Sequence, residues 1–148
     1  MSRIKVTNPI IHTPSFRTYQ IDAATLKGRL ANIGLTTPMG MLDGRYYYTD
    51  PEGWSKLLPD MVMKSNLWVS DKYDCDDYAW KAKMTCVDRF GLNAIAFVIG
   101  DIPECRHAFN LIYTGVDWLV FEPNIGFGLG GQAFPIGNEG YKPELVLV

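Results

Sequence analysis

Three residues have types and spacing that could do nucleophilic chemistry: Cys75, His107 and Glu122. A thiolate attacks carbonyl carbon. An imidazole takes and returns a proton near neutral pH. A carboxylate on the far ring nitrogen fixes the tautomer and stabilises the imidazolium. Cys75 lies in Tyr73-Asp-Cys-Asp-Asp-Tyr-Ala79, and His107 in Arg106-His-Ala-Phe-Asn110. Glu122 follows His107 by fifteen residues, in the segment from Trp118 to Pro123. Such a set would acylate the cysteine and release the acyl group to water or an amine.

The elements around these residues must bring them together. Cys75, Ala79, Ala82, Cys86 and Phe90 recur at helical spacing, while Lys81, Lys83, Thr85, Asp88 and Arg89 fall elsewhere. The spacing predicts a helix from Cys75 to Phe90, stopped by Gly91. Free N–H groups and the dipole at its start favour a thiolate and could hold an oxyanion. Asn66 and Trp68 are candidates for the second oxyanion donor, with Trp54 a third. Residues 93–99 read as an apolar strand. Residues 107–113 and 118–122 read as two more, joined by the turn Thr114-Gly-Val-Asp117.

If that turn closes a hairpin, Tyr113 opposes Trp118, Leu111 opposes Val120, and Phe109 opposes Glu122. His107 and Glu122 then become diagonal neighbours, roughly 7–8 Å apart between backbone positions. A one-residue slip would put them on opposite faces. Trp118 shares the His107 face and would cover the ion pair or join the core. Asn110, three residues on, faces away as a structural hydrogen-bonder. Asp71, Asp74, Asp76 and Asp77 crowd Cys75. Acids in a first helical turn complement the dipole, with Asp77 given a supporting role. Their charges would oppose a thiolate unless they point away.

The rest of the chain supplies the frame. Residues 1–19, with Pro9 and Pro14, read as an extended arm or edge strand. Asp22 caps a helix carrying Leu26, Leu30 and Ile33, ended by Gly34. Residues 35–48 read as turns, with Tyr46, Tyr47 and Tyr48 a packing cluster or a binding wall. Thr49 and Glu52 have capping-box spacing before a stripe of Trp54, Leu57, Leu58 and Met61, which Pro59 should end or kink. Residues 124–140 are glycine-rich and must loop, and Glu144 to Val148 form a last strand. The expected class is α+β, one domain over residues 1–148. N-terminal helices come first, then a long helix starting at the nucleophile, packed on a mainly antiparallel sheet.

Composition narrows the partners. Apolar residues make up 47% and net charge is −2, so there is a real core and no basic footprint for nucleic acid. No apolar run nears the ~18 residues of a spanning helix, so no membrane partner is expected. The N-terminus has no apolar h-region, hence no signal peptide is expected. Three cysteines without a CxxC pair argue against a disulfide framework and a zinc knuckle. A reducing, cytoplasmic setting and no cofactor follow as expectations. No metal is expected either, although Cys75, His107 and a nearby acid are suitable zinc ligands. Oligomeric state stays open.

Cys-Asp-Asp-Tyr-Ala at 75–79, His-Ala-Phe-Asn at 107–110, Trp118 and Glu122-Pro123 resemble the transglutaminase-like (papain-like) cysteine protease superfamily. The likeness covers roughly residues 73–124. It implies a small transglutaminase-like peptidase or amidase with Cys75 as nucleophile, His107 as base and Glu122 as third member. Asn110 and Trp118 would match family positions. Glu122 stands where that family usually has Asp, and Asp74 where it usually has Gly. The implied partner is a peptide or amide substrate, with proteins among the candidates. The alternative is an inactive fold of that type used as a binding module, as in phage-encoded proteins, with the 124–140 loop and the tyrosines as its surface.

Overall fold

The computed structural model describes residues 13–148. The expected arm at residues 1–19 lies largely outside the described residues. The described chain opens with β1 (Tyr19–Asp22), which pairs antiparallel with β2 (Arg45–Tyr48). Between them runs α1 (Ala23–Asn32). Asp22 caps α1, its carboxylate accepting from the Thr25 N–H at 2.9 Å. Gly34, just past the end, adopts a φ of 78°, the left-handed turn that releases the chain from the helix.

The next helix, α2 (Pro51–Leu57), starts later than the Thr49–Glu52 pair predicts. Asp50 is the cap, accepting from the Gly53 N–H at 2.8 Å. Pro51 takes the first helical position, where its fixed φ suits and its missing N–H costs nothing. Thr49 is buried instead. At Pro59 the chain tightens into a 3-10 turn over Leu58–Met61.

The long helix α3 (Cys75–Phe90) occupies the span that its apolar spacing predicts, and Gly91 ends it with a φ of 67°. Five strands follow: β3 (Ile95–Asp101), β4 (Arg106–Tyr113), β5 (Trp118–Phe121), β6 (Ala133–Pro135) and β7 (Lys142–Leu147). They form one antiparallel sheet in the order β6-β5-β4-β3-β7. One face packs Phe109, Leu111 and Val120 against Leu26 and Leu30 of α1. The other packs Ile95, Ile112 and Phe121 against Tyr78, Ala82, Cys86 and Phe90 of α3, with Trp54 and Leu57 of α2. The sheet is therefore the middle of three layers. Each large side chain buried this way contributes about 1.5–3 kcal/mol.

Strands, not helices, open the described chain. Seven strands stand against three α-helices, and only α3 exceeds ten residues. The expected α+β core with N-terminal helices first is corrected accordingly. Strand Ala133–Pro135 lies inside the stretch expected only to loop, and strand Arg45–Tyr48 is hidden among turn residues. Its Tyr46 is buried and Tyr47 exposed, the alternation of a half-buried strand.

Pairing of β3 with β7 shifts register between Ile99 and Gly100. A Cβ at Gly100 would collide with the Lys142 carbonyl oxygen, a backbone atom with nowhere to go. Gly100→Ala is expected to cost about 2–3 kcal/mol through overpacking. Urea unfolding measures it. Unchanged stability would mean that β7 slides freely along β3.

Candidate functional site

The hairpin register holds as the spacing implies: Tyr113 pairs with Trp118 and Leu111 with Val120. Beyond β5 the pairing continues, with the Glu122 N–H donating to the Gln132 carbonyl at 3.2 Å and the Gly131 N–H to the Glu122 carbonyl at 2.8 Å. Glu122 is thus locked from its backbone outward. His107 Nε2 lies 2.7 Å from Glu122 Oε2, and both side chains are buried, 2% and 0% exposed.

Glu122 has further partners. The Tyr141 hydroxyl donates to Oε2 at 2.9 Å, and the Asn124 N–H donates to Oε1 at 2.9 Å. Three partners thus converge on this fully buried carboxyl group. The Glu122 charge and burial push the Tyr141 hydroxyl pKa far up, burial being the larger cause. Burial alone would lower the His107 pKa. Hydrogen bonding to Cys75 and to Glu122 outweighs it and raises the imidazole to about 9, so His107 is charged at neutral pH.

Cys75, half-buried, starts α3 beside that ring and packs against Ala79, Phe97 and Ala108. The acids around it are partly engaged. Asp77 accepts the Asp74 N–H at 3.2 Å, and Asp74 accepts the Asp71 N–H at 3.0 Å. Asp71 makes that turn with a φ of 58°. Asp74 and Asp76 share a hydrogen bond, which raises the Asp76 pKa and lowers that of Asp74. Asp74, Cys75 and Asp76 bring one ligand atom each within 4.8 Å of one another. Among the described residues, His107 joins no such cluster with Cys75 and an acid.

Other expected residues sit elsewhere. Trp118 is buried opposite Tyr113, at the far end of β4 from His107, with ring centroids 5.2 Å apart. It belongs to the core and does not cover the pair. Phe127 does, with its ring centroid 4.4 Å from that of His107. Asn110 is fully buried, and its Nδ2 donates to the Ala79 and Ala96 carbonyls at 2.9 and 3.0 Å, tying α3 to the sheet. The Trp54 indole is committed to the Tyr113 carbonyl at 2.8 Å, which removes it as an oxyanion donor. Asn66 and Trp68 lie exposed on the segment before α3. Among the described residues neither side chain makes a hydrogen bond.

Phe127 and Tyr141 went unread because they come from irregular chain. The 124–130 loop is built by local bonds: the Gly126 N–H on Asn124 Oδ1 at 2.8 Å, and the Phe127 N–H on the Asn124 carbonyl at 3.1 Å. A Cβ at Gly130 would strike the Asn124 carbonyl and Ile125, so glycine lets the loop fold back on itself. The one available signal was an aromatic residue set between glycines, at 126–128.

No protein-family model matches the sequence, and no curated protein does. Solved structures do. The PSL1a-E64 complex matches with a TM-score of 0.66 at 19% identity, covering 87% of this chain and 51% of that one. Polyporus squamosus lectin bound to the human-type influenza-binding epitope Neu5Aca2-6Galb1-4GlcNAc matches with a TM-score of 0.65 at 17% identity, covering 87% and 49%. The chain spans about half the length of these structures.

The fold shared with these structures corrects the transglutaminase-like (papain-like) assignment, because it extends over 87% of the chain where the motif likeness covers three short pieces. The cysteine hydrolase or acyltransferase function drawn from that resemblance falls with it. Neither neighbour supports a peptide or amide substrate, and the ligand of the second is a glycan. No described helix is long and apolar enough to cross a membrane.

Proposed function

We propose that this chain is a binding module whose ligand sits over Cys75, with glycans as the first ligand class. One observation carries the reading. A buried, hydrogen-bonded His107–Glu122 pair stands at the end of the sheet beside a half-buried thiol. Buried ion pairs add little net stability over a packed apolar core, so a fully satisfied one at a rim suits a site better than a scaffold.

The surroundings suit a polyhydroxylated ligand. Asp74 and Asp76 offer carboxyl groups next to Cys75. Trp80, five residues further along α3, stacks one face on Phe97 at 4.3 Å and is 39% exposed. An aromatic edge with a few convergent polar groups is the usual make-up of a small-ligand site. The fold shared with a lectin carrying a sialylated trisaccharide supports the class.

The test is protection of a thiol. Iodoacetamide labelling of Cys75 is followed by mass spectrometry, alone and with millimolar Neu5Aca2-6Galb1-4GlcNAc. Cys86, fully buried and pushed up to about 12 by burial, serves as the internal silent thiol. Slower labelling of Cys75 with the trisaccharide is expected. Unchanged labelling rejects the reading.

A further inference from the structure

A cleft of about 420 Å³ lies at the opposite end of β4 from His107, and three elements line it. Arg29 comes from the last turn of α1, and Ile33 caps that helix. Asp117 ends the β4–β5 turn, and Trp118 opens β5. Pro135 ends β6, and Ile136 follows it. Clefts that take small ligands set a few fixed polar groups among apolar walls. Here the apolar walls are Ile33, Pro135 and Ile136.

The polar groups are ones the fold leaves over. Among the described residues, Arg29 and Asp117 form no ion pair, either with each other or with another side chain. Trp118 is 5% exposed, and its Nε1 N–H is buried without an acceptor. Buried donors are seldom left so, because nothing replaces the water they lose. The turn that carries Asp117 is tightly tied. Thr114 Oγ1 accepts the Asp117 N–H at 3.0 Å and donates to the Asp117 carbonyl at 3.0 Å. The Thr114 N–H donates to that carbonyl at 2.9 Å. The Tyr113 hydroxyl closes onto the Gly115 carbonyl at 2.9 Å. The backbone under Asp117 therefore needs no ordering when a ligand arrives.

We propose that this cleft binds a free amino acid with an apolar side chain. A guanidinium and a carboxylate, each without a partner, are matched by one small molecule carrying both opposite charges. The ligand carboxylate pairs with Arg29 and brings the acceptor that the Trp118 N–H lacks. The ligand ammonium pairs with Asp117. The apolar side chain lies on Ile33, Pro135 and Ile136. A bare carboxylate would meet Asp117 and a bare amine would meet Arg29, so like charge disfavours both. The cleft is separate from the site over Cys75, and neither needs the other.

The test titrates the full, isotope-labelled chain with L-phenylalanine and follows the indole N–H signals by NMR. The chain has four tryptophans, and Trp118→Phe identifies its signal by loss. L-phenylalanine is expected to shift the Trp118 signal downfield and to saturate in the millimolar range. Phenethylamine and hydrocinnamate each keep one of the two charges, and about tenfold weaker binding is expected of both. Arg29 and Asp117 are exposed, so Arg29→Gln and Asp117→Asn spare the fold. Each should weaken L-phenylalanine about tenfold. Asp117→Asn should also bring hydrocinnamate level with L-phenylalanine. The proposal is overturned if the Trp118 signal does not move. It is equally overturned if phenethylamine or hydrocinnamate matches L-phenylalanine on the wild type, or if either variant binds L-phenylalanine as the wild type does.

Discussion

Glu122→Gln is expected to lower stability at pH 6.5 by about 3 kcal/mol, a loss that narrows as pH rises to 9. The pair makes the case. His107 holds its proton with a pKa raised from 6.5 to about 9. Between those values the folded chain binds more protons than the unfolded chain, so stability falls as pH rises. The contribution is fully present below pH 6.5 and gone above 9. A shift of this size corresponds to about 3 kcal/mol at ~1.4 kcal/mol per unit. Glutamine keeps the volume but removes the charge, and burial then draws the His107 pKa below its wild-type value. Urea unfolding at pH 6.5, 7.5 and 9 reads the effect. Only two histidines are present, so the His107 titration is easily followed by NMR. Stability curves that run parallel for wild type and variant would break the argument.

That pair was legible because its spacing is local. A hairpin closed by four turn residues fixes which side chains face each other, and a register that pairs Asn110 with Phe121 brings His107 within diagonal reach of Glu122. The helix from Cys75 was legible because five apolar residues repeat at its period and Gly91 marks its end. What failed needed tertiary information. Trp118 shares a face with His107, yet the strand carries it to the opposite end. Phe127 and Tyr141 reach the site from a glycine-rich loop and the approach to β7, where no period exists to read. Tyr46 to Tyr48 looked like turn and proved to be strand, because turn signals on both sides outweighed four residues of alternation. The family assignment failed for a related reason. Three short pieces agreed in order and spacing, but the fold over 87% of the chain is the one shared with the PSL1a and Polyporus squamosus lectin structures.

Lys83→Met is expected to stabilise the protein at pH 7.5 by about 2 kcal/mol. Helical phase puts Lys83 off the apolar stripe, but the sheet above α3 buries it to 7% exposure. Its Nζ donates to the Ile95 carbonyl at 2.6 Å, and among the described residues that is its one hydrogen bond. Burial lowers its pKa from 10.5 to about 8, against weaker opposing pulls from Cys86 and Asp43. The unfolded chain therefore binds more protons between pH 8 and 10.5, and wild-type stability gains about 3 kcal/mol across that window as Lys83 is freed of its charge. Methionine fills a similar volume with no charge to bury, at the loss of one hydrogen bond of about 1 kcal/mol. The advantage of the variant should shrink from pH 8 upward and vanish before 10.5. Burial pushes Cys86 up to about 12 and Lys83 pulls it down, so the variant can only move it higher and its thiol stays protonated across this window. Denaturant unfolding at pH 7.5 and 10.5 tests both halves. A variant less stable at pH 7.5 would mean that the bond to Ile95 outweighs the buried charge, and that Lys83 is the tie between α3 and β3 rather than a strain on it.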